Sequence, residues 1–593
     1  MSQTPSVAAA LAVLQALVEA GVRDIVLAPG SRSAPFVPVL AAAEAGGLVR
    51  LRVALDERSA GFIALGMSRA ALLHGRCVPA AVVTTSGTAV ANLHPAVLEA
   101  DAAGVPLLVV SADRPHELVG TGASQTTEQT RMLEPAARLV VDLPADLVTD
   151  LGKERARTAI GGQVRRAVAA ACGTLSHDPG PAQLNVRFRP PLVPAPGAPL
   201  GTDAVPDGGR AETVRHVEAG AVTGPAETAT SAGPAEPAAS AGPAAAPARP
   251  PGAGAPTERG LVVAGDSPHG TGPLARALAE HLGWPLLAEP TSGARGGPAA
   301  LTRYAELLAT PAGCALAERA ERVLVLGHPS LTRSVSALLA RTDLPVDVLS
   351  ATPRWTDVAG AAARVVPLGD LVPAAAGPDG AALARALGLR PAPEGWTTRW
   401  ADAVADLPAL PEPGRLTSAS AALAVWEAGL APGAPLLVVG SSMTVRHLDR
   451  LARPADGPAP RPVANRGLAG IDGTLATALG LHLASGRAVR AVVGDLTFLH
   501  DAMSLGRGRR ETEPDLQVVV LDDGGGAIFS TLEYPGALEP EVVERFLTTP
   551  QATDVPALAA ALGARVHRPT ALTALMELLE RPVTGLSVIY LRL

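Results

Sequence analysis

The residues best placed to do chemistry form two acidic turns in the last third of the chain. Gly494-Asp495 follows the run Val489–Val493, and Asp522-Asp523-Gly524-Gly525 follows the apolar run Val518–Leu521. Short runs of this kind read as buried strands. Both acidic groups then fall at the carboxyl ends of parallel strands, where open α/β sheets bind ligands. Each turn alone is ordinary; the pairing gives them weight. Two carboxylates and one carbonyl oxygen suit Mg²⁺ or Mn²⁺, hard ions that keep room for phosphate oxygens, and the glycines let the backbone approach a bound anion closely. Beside Asp495, either Asp523 with the Gly525 carbonyl or Asp522 with the Gly524 carbonyl could complete the set. Far upstream, Asp56-Glu57-Arg58 lies between an apparent strand (Leu51–Leu55) and a predicted helix (Ser59–Leu73). An acid there ordinarily serves the helix dipole, so Glu57 gains a chemical role only if a second domain supplies a diphosphate site.

The elements that must position these groups follow from length and pattern. A chain of 593 residues is too long for one core, so three domains are expected. Residues 1–192 alternate helical and strand patterns: a helix over Ala8–Ala20, then strands over Asp24–Ala28, Ala80–Thr84, Leu107–Ser111 and Leu184–Phe188. This βαβ alternation predicts a parallel sheet covered on both faces. Residues 193–257 collapse to Ala, Pro, Gly, Thr and Glu and read as a mobile, disordered linker, because they cannot bury enough apolar surface to offset their ordering entropy. Residues 258–395 resume the alternation, with strands at Gly260–Ala264 and Val323–Leu326. The last unit, 400–593, carries strands near Leu436–Val439, Ala491–Val493, Val518–Leu521 and Val588–Leu591. The fold class is α/β throughout.

Composition narrows the function. Hydrophobic residues make up 48%, charged residues 18%, and the net charge is -7. No basic footprint for nucleic acid is present, and aromatics, at 2%, are too scarce for base-stacking platforms. Cys77, Cys172 and Cys314 lie far apart without metal-ligand spacing, which fits a reduced, cytoplasmic protein. The start lacks a basic segment, and the apolar stretch from Val7 is broken by Gln15 and Glu19, so an amphipathic helix is expected rather than a signal peptide. No run reaches the roughly 18 apolar residues of a membrane span.

A set of motifs then occurs in one order: Pro29-Gly30-Ser31-Arg32-Ser33, Asp56-Glu57-Arg58, Thr85-Ser86-Gly87-Thr88-Ala89-Val90-Ala91-Asn92-Leu93, Ala112-Asp113-Arg114-Pro115, Gly440-Ser441-Ser442-Met443-Thr444-Val445-Arg446, Asn465-Arg466-Gly467-Leu468-Ala469-Gly470-Ile471-Asp472-Gly473 and Gly494-Asp495-Leu496. Together they resemble the thiamine-diphosphate-dependent 2-succinyl-5-enolpyruvyl-6-hydroxy-3-cyclohexene-1-carboxylate synthases of menaquinone biosynthesis. The resemblance covers both outer domains and implies a three-domain fold. It implies a transferase that decarboxylates 2-oxoglutarate and adds the succinyl carbanion to isochorismate. It also implies a homodimer or homotetramer with active sites between subunits. Glu57 would be the catalytic carboxylate on the cofactor's pyrimidine N1′, and Ile471 the side chain over which the cofactor bends. Gly494, Asp495, Leu496, Asp523, Gly525 and Ala527 would hold the diphosphate and its metal ion. Ser31, Arg32, Arg114, Gln125, Ser442, Arg446 and Arg466 would contact substrate, Phe529 would wall the pocket, and Arg333 aligns loosely with a basic position. Arginines suit substrates bearing three carboxylates, because the planar fork binds carboxylate bidentately. The four motif arginines are expected at strand or turn ends.

Two departures stand out: Asp523 where the family's pattern has Asn, and Ser124 before Gln125 where an amide is common. A competing enzyme reading is an acetolactate-synthase-like decarboxylase or carboligase, which would not need these arginines. A non-catalytic α/β nucleotide-binding or regulatory protein would be expected to lack Glu57 or Asp495, and both are present. Deletion of residues 205–250 should leave solubility and the unfolding transition unchanged; aggregation of the shortened protein would show that this segment is structural.

Overall fold

The computed structural model of the protein describes residues 4–193, 256–370, 379–410 and 414–593. The expected linker, 193–257, lies almost wholly outside them. Three sheets contain the strands. The first comprises β1 (Asp24–Leu27), β2 (Arg50–Val53), β3 (Ala80–Thr84), β4 (Leu107–Asp113), β5 (Val140–Leu143) and β6 (Pro181–Arg187), in the order β2-β1-β3-β4-β6-β5. The second comprises β7 (Gly260–Ala264), β8 (Leu286–Ala288), β9 (Arg322–Leu326), β10 (Val346–Ser350) and β11 (Ala362–Pro367), in the order β11-β10-β9-β7-β8. The third comprises β12 (Leu436–Val439), β13 (Val489–Gly494), β14 (Leu516–Asp522), β15 (Arg565–His567) and β16 (Leu586–Arg592), in the order β12-β13-β14-β16-β15. All strand pairings within the sheets are parallel. β3, β4, β6 and β14 are buried at every residue, as helices on both faces require.

The order of strands fixes where ligands can bind. In the first sheet the chain reverses direction between β1 and β3. In the third, Val463 bridges β12 through Val438 before the chain crosses to β13, so β12 and β13 flank a second reversal. Crevices open beyond the carboxyl ends of strands at such points, and the motif loops 29–33, 85–93, 440–446 and 494–496 leave those strands. The second unit extends past the expected boundary at 395. Helix Trp396–Ala405 buries Trp396 and Trp400 against β7 and β9, and the Trp396 indole donates to the Gly260 carbonyl at 2.9 Å. Large apolar rings, not composition, set that border.

One apolar cluster joins the first and third sheets through two helices, Glu57–Leu73 and Thr474–Ser485. The first begins two residues before its predicted start, because Asp56 caps it by accepting the Arg58 amide at 3.0 Å. The helices touch through glycine. A Cβ on Gly66 would stand 2.1 Å from the Thr477 carbonyl oxygen, and one on Gly480 would stand 1.9 Å from that of Ile63. Among the described residues no helix is long and apolar enough to cross a membrane. Gly480→Ala should destabilise the protein by about 2 kcal/mol or more, as overpacking against backbone does. Chemical denaturation measures this, and an unchanged midpoint would mean the helices have room to part.

Candidate active site

The acidic corner is built by adjacent parallel strands. β13 ends at Gly494 and β14 at Asp522, with Gly494 in register with Leu521. Asp495 opens helix Asp495–Asp501 and is 5% exposed. Burial pushes its carboxyl up to about 6, and Asp522 and Asp523 add to the rise, against the Leu496 and Gly525 amides. Asp522 is occupied within the protein: it accepts from the Gly524 amide at 3.0 Å, from Arg592 Nη1 at 2.7 Å and from the Tyr590 hydroxyl. These partners hold it below the usual carboxylate range although burial opposes them. Asp523 is exposed and meets only the Ser418 hydroxyl, at 3.3 Å. Gly525 sits at φ +119°, and a Cβ there would lie 2.3 Å from the Thr548 carbonyl oxygen, so glycine is required. Its own carbonyl accepts the Ala527 amide at 2.9 Å, which leaves one lone pair. Ala527 starts the 3₁₀ turn Ala527–Thr531, which carries the half-buried Phe529.

The arginines form two like-charged pairs. Arg32 follows β1 and is buried; its amide donates to Thr85 Oγ1 at 3.1 Å and its Nη1 to the Phe188 carbonyl at 2.9 Å. Burial lowers its affinity for a proton, and the neighbouring Arg114 lowers it further. Arg114 keeps a buried Nε without a partner. Ser31 is exposed in the same turn, and Gln125 is placed beside the loop after β3, with Ser86 Oγ donating to its carbonyl at 2.9 Å. The second pair is Arg446 and Arg466. Burial and then Arg466 depress Arg446, and Arg466, 4% exposed, has an unpartnered Nε. Arg32 lies in the turn after β1, Arg114 directly follows β4 and Arg466 lies in the loop after Val463, at strand or turn ends as expected. Arg446 differs: it lies in the first turn of helix Met443–Leu451, because the chain enters a helix after only Gly440, Ser441 and Ser442. Arg333 is largely exposed and pairs with Glu533 at 3.3 Å.

Sequence reasoning missed the group that holds the second pair. The Arg446 guanidinium donates to the Leu331 carbonyl, and Arg466 Nη2 to Ser330 Oγ at 2.7 Å. Glu289, the residue after β8, accepts the Ser330 and Leu331 amides at 2.7 and 2.8 Å. Its carboxyl is pushed up to about 8 by burial first and by Asp449 second. Asp449 in turn accepts from the Tyr304 hydroxyl and faces Arg295 at 3.5 Å. Glu289 carries the same signal as Asp495, an acid ending an apolar run, and that signal could have found it. The loop that bears Arg466 and the half-buried Ile471 is tied to the first unit as well, where Glu99 accepts the Gly467 and Leu468 amides at 2.8 and 2.7 Å.

Glu57 is half-buried at the first position of its helix. Its neighbour Arg58 donates to the His500 carbonyl at 2.9 Å and faces Asp501 at 3.8 Å. Both lie at the far end of the helix that Asp495 opens. No hydrogen bond or ion pair among the described residues links Glu57 to the acidic corner.

What this geometry can hold is a cation at the acidic corner and carboxylates at the two arginine pairs. Residues 7–132 match the thiamine pyrophosphate enzyme N-terminal TPP binding domain, and residues 450–590 match the C-terminal TPP binding domain of the same enzymes. The chain is similar to benzoylformate decarboxylase from Polynucleobacter necessarius in fold, with a TM-score of 0.62 over 98% of each chain at 15% identity. It is 45% identical to the 2-succinyl-5-enolpyruvyl-6-hydroxy-3-cyclohexene-1-carboxylate synthase of Kineococcus radiotolerans, over 99% of this chain and 96% of that one. The synthases named likewise from Nocardioides sp. and Paenarthrobacter aurescens are 41% and 40% identical, over 98% and 99% of this chain and 94% of each of theirs. Both ends of the fold carry thiamine-enzyme domains and the likeness runs through the whole chain, so the protein belongs to the 2-succinyl-5-enolpyruvyl-6-hydroxy-3-cyclohexene-1-carboxylate synthase family of thiamine-diphosphate enzymes.

Proposed function

We propose that the protein decarboxylates 2-oxoglutarate and transfers the succinyl unit to isochorismate, giving 2-succinyl-5-enolpyruvyl-6-hydroxy-3-cyclohexene-1-carboxylate and CO₂. The observation that carries this substrate pair is the arrangement of Arg32 with Arg114 and Arg446 with Arg466. Two desolvated guanidinium pairs, each with an unpartnered Nε, await anions. The distal carboxylate of one substrate and the two carboxylates of the other supply them. An acetolactate-synthase-like reaction on smaller 2-oxo acids would leave these charges unmatched.

Bound thiamine diphosphate supplies the electron sink for loss of CO₂ from a 2-oxo acid. The residues have the following parts. Glu57 holds the pyrimidine N1′ by a carboxyl hydrogen bond, and Ile471 supports the bent cofactor. Asp495, Asp523 and the Gly525 carbonyl bind Mg²⁺ or Mn²⁺, which restores the charge balance that burial upsets at Asp495. Gly494, Leu496 and Ala527 line the diphosphate. Ser31, Gln125, Ser442 and Phe529 orient substrate between the arginine pairs. The working units are residues 1–192, a central unit from 258 that includes helix Trp396–Ala405, and the unit after it to 593, joined by the 193–257 linker, in a cytoplasmic enzyme. A second copy completes each site: Leu55, two residues before Glu57, is 86% exposed, and Phe546, beyond the metal loop, is 65% exposed. Apolar side chains so close to the site call for a covering surface.

Two experiments test the reading. Incubated with thiamine diphosphate, Mg²⁺, 2-oxoglutarate and isochorismate, the protein should consume isochorismate and form the succinyl adduct, whereas Glu57→Gln should fold normally and lose at least about 100-fold in turnover. Turnover near the wild-type rate in that variant would overturn the role of Glu57, and isochorismate left untouched by the wild type would overturn the substrates. The second concerns the loop behind Arg446 and Arg466. Folded Glu289 keeps its proton to about pH 8, against an ordinary value of 4.5. Between those values the folded state binds more protons than the unfolded one, so stability falls as pH rises. Glu289→Gln keeps an acceptor for the Ser330 and Leu331 amides and removes the titration. Its melting temperature should therefore decline less than the wild type's between about pH 5 and about pH 8; parallel declines would mean that Glu289 is ionised.

A further inference from the structure

Two of the three cysteines meet beyond the amino ends of the first sheet's interior strands, opposite the end from which the motif loops leave. Cys77 lies in the connection from helix Glu57–Leu73 to β3, and Cys172 follows helix Lys153–Ala171 ahead of β6. Both connections feed the amino ends of their strands, whereas Arg32 and Arg114 leave carboxyl ends. The Cys77 thiol donates to the Cys172 carbonyl at 3.4 Å, and the Cys172 thiol donates to the Cys77 carbonyl at 3.1 Å. These reciprocal contacts set each sulfur against the other residue's backbone, so the two side chains are neighbours, the first requirement of a disulfide. Cys77 is exposed and Cys172 half-buried. Cys314, also exposed, donates to the Leu308 carbonyl at 3.5 Å and has no thiol neighbour among the described residues, so it serves as an internal control.

The two thiols are chemically unequal. The hydrogen bond from Cys172 holds the Cys77 thiol below its ordinary value, and the same contact with burial raises Cys172. An exposed, more acidic sulfur backed by a protonated one is the arrangement of an attacking thiol and its resolving partner. Neither side chain belongs to the thiamine-diphosphate site.

We propose that Cys77 and Cys172 are a redox modification site that closes to a reversible disulfide on reaction with a hydroperoxide. The Cys77 thiolate attacks the peroxide, the O–O bond breaks, and an alcohol or water leaves with a proton, giving the sulfenic acid. The Cys172 sulfur then attacks Cys77 sulfur, the S–O bond breaks, and water leaves. Two thiols lose two electrons and two protons in total, and the peroxide gains them. A dithiol reductant reverses the change. The bond would span 95 residues of sequence and restrain the unfolded chain. It ties together two connections remote from the carboxyl ends of the strands, so turnover should be unaffected. It also shields Cys77 from further oxidation.

The test treats the full-length protein with a small excess of hydrogen peroxide, quenches with catalase, and maps peptides without reduction. The expected result is a Cys77–Cys172 linked peptide, a fall from three titratable thiols to one, and a melting temperature higher by a few degrees, all reversed by dithiothreitol. Cys77→Ser should keep Cys172 as a free thiol, Cys172→Ser should carry Cys77 on to sulfinic acid, and neither should gain stability or lose turnover. Three surviving thiols, a cross-link between chains, or sulfinic acid at wild-type Cys77 beside a free Cys172 would each overturn the proposal. A disulfide that forms without raising the melting temperature would overturn its stabilising role.

Discussion

The contact between helices Glu57–Leu73 and Thr474–Ser485 is the constraint on which the rest of the structure depends. Two sheets that lie hundreds of residues apart in sequence share one apolar cluster because Gly66 and Gly480 let backbone meet backbone. The ends of the helices are locked by charge. Asp501 accepts the Leu475 and Ala476 amides at 2.7 and 3.0 Å, satisfying the first turn of one helix, and faces Arg58 in the first turn of the other. Burial raises the Asp501 carboxyl, and the Ser504 hydroxyl, the Ala476 amide and Arg58 lower it. Removing one of these partners would leave a buried charge uncompensated. Glu57 inherits its position from this arrangement, since it is held between Asp56 and Arg58 rather than by contacts of its own.

A second constraint is the cost of keeping two guanidinium groups close together in a buried place. Arg446 and Arg466 stay in place because a loop of the central unit offers a carbonyl and a hydroxyl, neutral acceptors that orient the arginines without cancelling their charge. A carboxylate in that role would neutralise the pair and compete with substrate. The acid is instead set back at Glu289, where it grips the loop's amides and stays largely protonated near neutrality. The central unit thus contributes by holding its neighbour's arginines.

Much of this was legible in sequence, and the exceptions have physical causes. β3, β7 and β12 form where apolar runs predict them, and Asp495 directly follows, and Asp522 ends, a parallel strand as expected. β8 and β15, three residues each, are too short for a period to appear, and β11 shows no buried residue to mark it. Arg446 lies in a helix because nothing in Gly440-Ser441-Ser442 separates a turn from a helix start. Glu289 ends a short apolar run, a signal that went unused, whereas Glu99 escaped because its partners are backbone amides of a distant loop, a type of contact that leaves no residue pattern. The pairing of Cys77 with Cys172 is of the same kind: fold topology, not spacing, brings the two together.

The pair Asp522-Asp523 shows how a fold distinguishes identical neighbours. In sequence either could face a metal ion, and a shift of one residue is invisible. In the sheet, Asp522 is the last residue of β14 and lies in register with Arg592 of β16, next to Tyr590. It is drawn into those partners, which neutralise its charge within the protein. Asp523 has left the strand and has no ion-pair partner among the described residues; it accepts from the Ser418 hydroxyl. The extra carboxylate compared with an amide at this position need not be a burden, because Arg592 cancels one of the three negative charges. What remains is two carboxylates, one of them buried, a balance that a single divalent ion offsets.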